Sequence, residues 1–334
     1  MSCRSAMDTA WTQILSKTLS LGEENEMRVL FNDTDCLEKR QFSPVHDIVL
    51  GLKKGDVETE ALMSSSFINS GDSNGRTPLS WAASRGDFKI VRSLIRLGAN
   101  PNIVSACDMS PLHFAMRPTS PRCIVPLLAA GAKVDQLSDW QQTPLHHAAS
   151  YQDDIRFLEP LIDSGAKVNA RDHDGNTPLG CAALQNHPRS AAFLLDCGAD
   201  INSQTPSGWN ALLMSVDCNS HAVLPLLLQH GADPTQKLST GCTILHRVAE
   251  RGDIKTVEIL TAAGLKEIDI NAVNSENRTA RDLMHRHDQI SAEFVTSFET
   301  LLKSIQQGVL EQGETNESDE DDAAQFADAE EYLI

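Results

Sequence analysis

Aromatic residues and basic charge are both scarce in this sequence. Only 5% of the 334 residues are aromatic, so small aliphatic side chains must fill most apolar positions. Acidic residues outnumber basic ones by 46 to 28, and the formal net charge is −18. No apolar run reaches the roughly 18 residues of a membrane helix, and the first residues lack the apolar stretch of a signal peptide. We therefore expect no nucleic-acid partner, no membrane association and no secretion.

Signatures of catalysis and cofactor binding are also missing. The sequence has no G-x-S-x-G motif, no phosphate-binding glycine loop and no dinucleotide fingerprint. None of its eight cysteines forms a C-x-x-C pair, and no Cys, His and carboxylate cluster completes a zinc site. We expect no catalytic residue, no cofactor and no metal. Reduced thiols favour a cytoplasmic protein, with the nucleus as the second candidate compartment.

The middle of the chain carries a phrase that recurs every 33 or 34 residues. The clearest copies are Thr77-Pro78-Leu79, Thr143-Pro144-Leu145-His146 and Thr177-Pro178-Leu179. The proline position, or its replacement, falls at positions 78, 111, 144, 178, 211 and 244. A fixed period of this length indicates a stack of small units that bury their apolar faces against one another.

The first complete unit shows how local residues specify two helices. Thr77 provides the hydroxyl of a helix N-cap, and Pro78 occupies the first helical position, where its missing N–H costs nothing. Gly86 supplies a turn, and residues 90–95 continue with the apolar spacing of a second helix. Gly98 then ends that helix as a left-handed cap. The unit is therefore predicted to be a helix, a turn and an antiparallel helix.

The period, the T-P-L-H phrase and a closing Gly-Ala phrase at 98–102, 165–169 and 198–202 resemble the ankyrin repeat. The resemblance implies an all-α solenoid of helix-turn-helix units with divergent caps at both ends. The phrase at 42–52 is similar to the opening of a group of fungal ankyrin repeat-containing proteins.

The same resemblance divides the chain into five parts. They are a weakly helical N-terminal segment at 1–41, a divergent N-capping repeat at 42–71, six ankyrin repeats at 72–272, a C-capping repeat and helix at 273–310, and an acidic tail at 311–334. The tail has ten acidic residues and no Lys or Arg. It offers too little apolar surface to offset the entropy of ordering, so we expect it to be disordered.

Four histidines occupy the last position of the T-P-L-H phrase or its variants, namely His46, His113, His146 and His246. In ankyrin repeats an imidazole in this slot hydrogen-bonds turn groups. We therefore predict a structural role for all four rather than metal binding or catalysis.

The resemblance places partner binding on the concave face. We define this face as the residues one, three and four positions before the Thr of each phrase and seven and eight positions after it. Exposed Trp, Tyr and Arg side chains are the types that anchor interfaces. The predicted partner-binding residues are Arg76, Arg85, Arg117, Trp140, Tyr151, Trp209, Glu250 and Arg251. In the competing interpretation, the two tryptophans only pad neighbouring turns.

The acidic tail allows three interpretations. It keeps the protein soluble, folds back onto the basic side chains of Arg76, Arg85 and Arg117, or serves as a second docking element. Its run of acidic residues after Ser318 makes that serine a candidate site for an acidophilic kinase.

These observations favour a monomeric, non-enzymatic module or scaffold that binds a partner protein through its concave face. Two alternatives remain: a regulatory factor for transcription or for a fungal biosynthetic pathway, and a non-catalytic subunit of an enzyme complex. Fold alone does not choose among them.

Overall fold

The computed structural model describes residues 41–50, 67–266, 268–284 and 291–307, and these residues contain helices and turns but no strand. In chain order the helices are α1 (Pro44–Val49), α2 (Pro78–Ser84), α3 (Phe88–Arg96), α4 (Pro111–Phe114), α5 (Ile124–Ala129), α6 (Pro144–Tyr151), α7 (Ile155–Asp163), α8 (Pro178–Leu184), α9 (Pro188–Asp196), α10 (Ala211–Asp217), α11 (Val223–Gln229), α12 (Ile244–Arg251), α13 (Ile254–Ala262), α14 (Ala280–Met284) and α15 (292–307). A 3₁₀ turn at Pro121–Cys123 precedes α5. The all-α fold class that the resemblance implied is confirmed.

The helices form two parallel rows. The first helices of successive units, α1, α2, α4, α6, α8, α10, α12 and α14, each pack against the next one in this order. The second helices, α3, α5, α7, α9, α11 and α13, form the outer row in the same way. The core between the rows consists largely of Leu, Ala, Val and Ile, as the low aromatic content requires. Each unit therefore contacts mainly its neighbours, which is the architecture of a solenoid.

The predicted capping residues set the helix ends. The Thr77 side chain accepts a hydrogen bond from the backbone N–H of Ser80, and Pro78 opens α2. Gly98 follows α3 with a φ of 90°, a conformation that favours glycine. Both helix boundaries follow from residues within a few positions of them, which explains why the sequence could locate them.

The four histidines of the T-P-L-H slot join neighbouring repeats. In His146, Nδ1 accepts the backbone N–H of Thr143, and Nε2 donates to the carbonyl of Asn176 in the next repeat, at 3.1 Å. His46, His113 and His246 make the equivalent bonds across 29 to 32 residues. Because a backbone N–H can only donate, Nδ1 is the acceptor and the neutral ring carries its proton on Nε2. The predicted structural role is confirmed.

The turns before the first helices are also bonded to one another. The bonds run from the N–H of Ala106 to Asn74 O, Asp139 to Cys107 O, His173 to Trp140 O, Ser239 to Ser207 O and Ser275 to Thr240 O, at 2.7 to 3.1 Å. Neighbouring turns thus approach closely enough to leave little room for side chains between their backbones.

The two ends of the array are closed by different contacts. At the start, Phe42 lies edge-on against Trp81, with ring centroids 6.0 Å apart. At the end, the Arg281 guanidinium makes two 3.0 Å bonds to the Glu299 carboxylate and joins α14 to α15. The buried side chains of α15 are Phe294, Phe298, Leu301, Leu302 and Ile305. Residues 1–40 and the tail 311–334, including Ser318, lie outside the described residues.

Candidate protein-binding face

Cationic and aromatic side chains alternate across the first three repeats of the concave face. The Arg76 guanidinium lies 5.1 Å from the ring centroid of Trp81 and 4.8 Å from that of Phe114. The Arg117 guanidinium lies 5.6 Å from the ring centroids of both Phe114 and Tyr151. In cation–π contacts of this kind the guanidinium is attracted to the face of the ring. Arg76 and Arg117 are therefore held in position on this face before any partner arrives.

Two predicted anchors are well exposed. Trp140 lies in the turn before α6 and is 46% exposed, and Tyr151 ends α6 and is 49% exposed. The Trp140 ring touches the edge of His173 in the next repeat, at a centroid distance of 6.0 Å. Both rings are thus supported from one side and open to solvent on the other.

Trp209 differs from the sequence expectation of an exposed indole. It is half-buried, because the guanidinium of Arg247 in the next repeat covers its ring at 5.1 Å. Arg247 also forms ion pairs with Asp217 and Glu250. Burial lowers the pKa of Arg247. Trp209 and Glu250 therefore belong to an inter-repeat contact, and Trp209 presents only part of its ring to solvent.

The remaining predicted residues lie at the margins of the face. The exposed Arg85 side chain donates from Nη1 to the carbonyl of Val49, 3.2 Å away, and so ties the first full repeat to α1. Arg251 is exposed at the end of α12, and its carbonyl accepts a bond from the Asn219 side chain. The structure thus brings Arg76, Arg117 and Tyr151 together and leaves Arg85 and Arg251 apart from that group.

One row of mostly buried residues lies directly beneath the face. It occupies the slot four residues after each N-cap and consists of Trp81, Phe114, His147, Cys181, Met214 and Arg247. Its members are buried except Arg247, which is half-buried, and large or polar side chains recur in this slot at the same period. This recurrence is the signal that would have identified the row.

His147 shows what this slot can hold. Its ring lies 5.1 Å from His113 and 5.6 Å from Tyr151, measured between centroids. Burial lowers the pKa of His147 well below 6.5, and the nearby His113 and Arg117 act in the same direction. The imidazole is therefore neutral at physiological pH.

Unmet hydrogen-bonding capacity is concentrated on this face. Among the described residues, four side-chain nitrogen atoms are buried without a hydrogen-bond partner in the chain, namely Arg117 Nε, His147 Nδ1, Arg247 Nε and Arg278 Nη1. Arg117 and Arg278 occupy defined slots of the concave face, and the other two belong to the row beneath it. A buried polar atom without a partner costs on the order of 1–3 kcal/mol, and native structures contain few of them.

A cleft opens on the same face between the fourth and fifth repeats. It has a volume of about 370 Å³ and is lined by Asp174, Asn176, Leu184, Thr205, Ser207, Trp209, Met214 and Asp217. Six of these eight residues occupy slots that the period assigns to the concave face. The cleft is thus a feature of the predicted binding surface.

Other kinds of site find no support in the described part of the chain. No group of three or more His, Cys, Asp or Glu residues there is placed to hold a metal ion. The cysteines at 107, 123, 181, 197, 218 and 242 are free, and burial raises the pKa of the Cys181 thiol to about 12. No helix in the same residues is long and apolar enough to cross a bilayer.

Comparison with known proteins gives a consistent family match. A family model described as ankyrin repeats matches in three overlapping copies, at 47–138, 112–205 and 145–238. The mouse B-cell lymphoma 3 protein homolog is 30% identical over 202 residues, which cover 58% of this chain and 45% of that protein. The ankyrin repeat protein nuc-2 of Neurospora crassa is 27% identical over 238 residues, covering 70% of this chain and 21% of that protein. The chain thus spans less than half the length of these relatives.

Solved structures show the same architecture. The ankyrin repeat domain of Bcl-3 is 30% identical, with a TM-score of 0.55, and the match covers 68% of this chain and all of that domain. The human ASB11 ankyrin repeat domain has a TM-score of 0.58 at 23% identity and covers 66% of this chain, a likeness of fold alone.

Proposed function

Since the chain belongs to the ankyrin repeat family, we propose that it is a non-enzymatic interaction module whose partner protein lies along the concave face. Ankyrin repeats form a protein-interaction fold. The observation that carries the proposal is the coincidence of two exposed aromatic rings, Trp140 and Tyr151, with the positioned guanidinium of Arg117 on this one face. A protein partner supplies apolar cover for these rings.

The energetics support a protein partner on the first three repeats. Trp140 and Tyr151 offer large rigid area, and Arg117 is already held against Tyr151. Interfaces draw most of their affinity from a few Trp, Tyr and Arg side chains whose geometry is preset.

The double substitution Trp140→Ala and Tyr151→Ala is expected to reduce partner capture at least tenfold, because truncation of one hot-spot aromatic costs about 2 kcal/mol or more. The full-length chain serves as bait in an extract of its native cell, and bound proteins are quantified by mass spectrometry. Both side chains are about half exposed, so the variant should keep the circular dichroism spectrum and melting temperature of the wild type.

Val125→Ala is the matched control. Val125 is 61% exposed on α5 in the outer row. Its substitution by alanine removes exposed apolar area away from the concave face. Equal capture by the control, the wild type and a folded double variant would overturn the proposed binding face.

A regulatory role is the second candidate. The Bcl-3 domain that matches this chain is described as a unique member of the IkappaB protein family. Transfer of such a role to this chain is a proposal, since the match covers less than half of the full-length Bcl-3 relatives. Identification of the captured partner separates the alternatives: a transcription factor supports the regulatory role, and an enzyme supports a non-catalytic subunit. Under either proposal the chain acts as a monomer in the cytoplasm or nucleus.

A further inference from the structure

The cleft between the fourth and fifth repeats has a specific chemical character. The side chains of Leu184, Met214 and Trp209 give it apolar walls. The charged residues of its lining are Asp174 and Asp217, and Asp217 is paired with Arg247, so the accessible carboxylate is that of Asp174. We propose that this cleft receives one arginine or lysine side chain of the partner protein. This inference rests on the proposed function and specifies the chemistry of the partner at one position.

The shape and polarity of the cleft fit a long cationic side chain. Arg and Lys have an apolar stem that covers hydrophobic surface while the charged head stays near polar groups. Leu184 and Met214 provide surface for the stem, and the exposed Asp174 carboxylate provides a partner for the head. The volume of about 370 Å³ is near the lower end of the roughly 300–1,000 Å³ of ligand pockets. It therefore suits a single side chain better than a helix or a folded element.

The charge of the cleft disfavours an acidic side chain of the partner. An acidic side chain would meet the like charge of the accessible Asp174 carboxylate, which disfavours its binding. Asp174 is 67% exposed and lies 3.2 Å from the imidazole of His173, which is itself 60% exposed. The carboxylate is therefore accessible to an incoming cation, and an Asp174 pair with a partner would form without dismantling a buried contact.

Within the chain, the indole ring of Trp209 already holds a guanidinium. Arg247 lies 5.1 Å from the Trp209 ring centroid and pairs with Asp217. An indole face attracts cations through its quadrupole, and Trp is the strongest of the aromatic side chains in this respect. The internal contact shows that Trp209 and a flanking carboxylate hold a guanidinium at this end of the face, and because Arg247 occupies that position, the accessible Asp174 carboxylate is left for the partner's cation.

A matched pair of peptides tests the proposal. The probes are acetyl-Gly-Gly-Arg-Gly-Gly-amide and the same peptide with citrulline, which keeps the shape of arginine and lacks its charge. Full-length protein labelled with ¹⁵N-tryptophan reports binding through the indole N–H resonance of Trp209, assigned with Trp209→Phe. The arginine peptide is expected to shift this resonance, with an affinity at least about tenfold above that of the citrulline peptide because the charge supplies the recognition.

Charge substitutions distinguish binding of the peptide at the cleft from its general attraction to an acidic chain. Asp174→Asn is expected to weaken the arginine peptide at least about threefold, because it removes the accessible carboxylate and keeps the side-chain shape. Glu159→Gln removes the same charge from an exposed site on α7 in the outer row and should leave the affinity unchanged. Equal binding of both peptides, or equal loss with both substitutions, overturns the proposal. A Trp209 shift that depends on protein concentration and not on peptide also overturns it, because a second copy then occupies the cleft.

The result is distinguishable from a failure of the proposed function. If arginine does not select the cleft while the Trp140 and Tyr151 variant still loses its partner, only the cleft inference is wrong. If capture is unaffected by any change on the concave face, the proposed function fails first.

Discussion

Gly208→Ala is expected to destabilise the array by on the order of 4 kcal/mol. Losses of this size are typical of substitutions that cause steric clashes and backbone strain. Gly208 has a φ of 85°, and an added Cβ would lie 2.7 Å from Leu238 Cα and 2.8 Å from Lys237 O. Both atoms belong to the backbone of the next turn, so no side chain can rotate away. The 3.0 Å bond from Ser239 N–H to Ser207 O must then lengthen, and the fifth and sixth repeats separate. Urea unfolding followed by circular dichroism measures the loss.

Gly198→Ala is the matched control. Gly198 has the same φ of 85°, but a Cβ there meets nothing within 4 Å. The substitution should lower the free energy of unfolding only by the left-handed backbone strain of about 1–2 kcal/mol. The difference between the two variants therefore measures the contact between adjacent turns. Equal losses would mean that this close approach contributes little to stability.

Mild acid is expected to unfold the protein through its buried histidines. Burial lowers the pKa of His113 from 6.5 to about 4, and it also lowers the pKa values of His46, His146 and His147. As pH falls, the unfolded chain therefore binds protons before the folded chain does. The contribution of these histidines to the free energy of unfolding is complete above pH 6.5 and is lost as the pH falls to about 4. For His113 alone the loss is about 3 kcal/mol. The measurement is the free energy of unfolding by urea at intervals between pH 7.5 and 4.5.

His147→Met tests the origin of this acid sensitivity. Methionine occupies the equivalent slot at Met214, and the change removes both a titrating ring and the unpaired Nδ1 atom. We expect a shallower fall of stability between pH 6.5 and 4.5 than in the wild type. The exposed His230→Gln is the control and should keep the wild-type slope. An unfolding free energy that stays flat over this range would contradict the assignment.

The elements of the fold were predictable because their signals are local. Thr77 and Pro78 start a helix and Gly98 ends one through contacts with residues a few positions away. The same spacing repeated along the chain then implied that the units stack. The roles of His46, His113, His146 and His246 followed from the slot they share.

The details of the binding face were less predictable. Trp140 and Trp209 both stood in slots assigned to the concave face, yet one is 46% exposed and the other lies under Arg247. The covering residue is 38 positions further along the chain. Nothing near Trp209 in the sequence indicates which side chain the next repeat will place over it.

Periodicity in the sequence and the resemblance it supports specified the fold class, the helix boundaries and the slots of the predicted concave face, because caps, turns and apolar spacing act within one repeat. The exposure of each indole, the paired Arg76 and Arg117 contacts, the unpaired nitrogen atoms and the cleft beside Trp209 depend on side chains from two repeats that meet across the stack. Such contacts are set by the distance between helices and turns, which exists only once the repeats are packed.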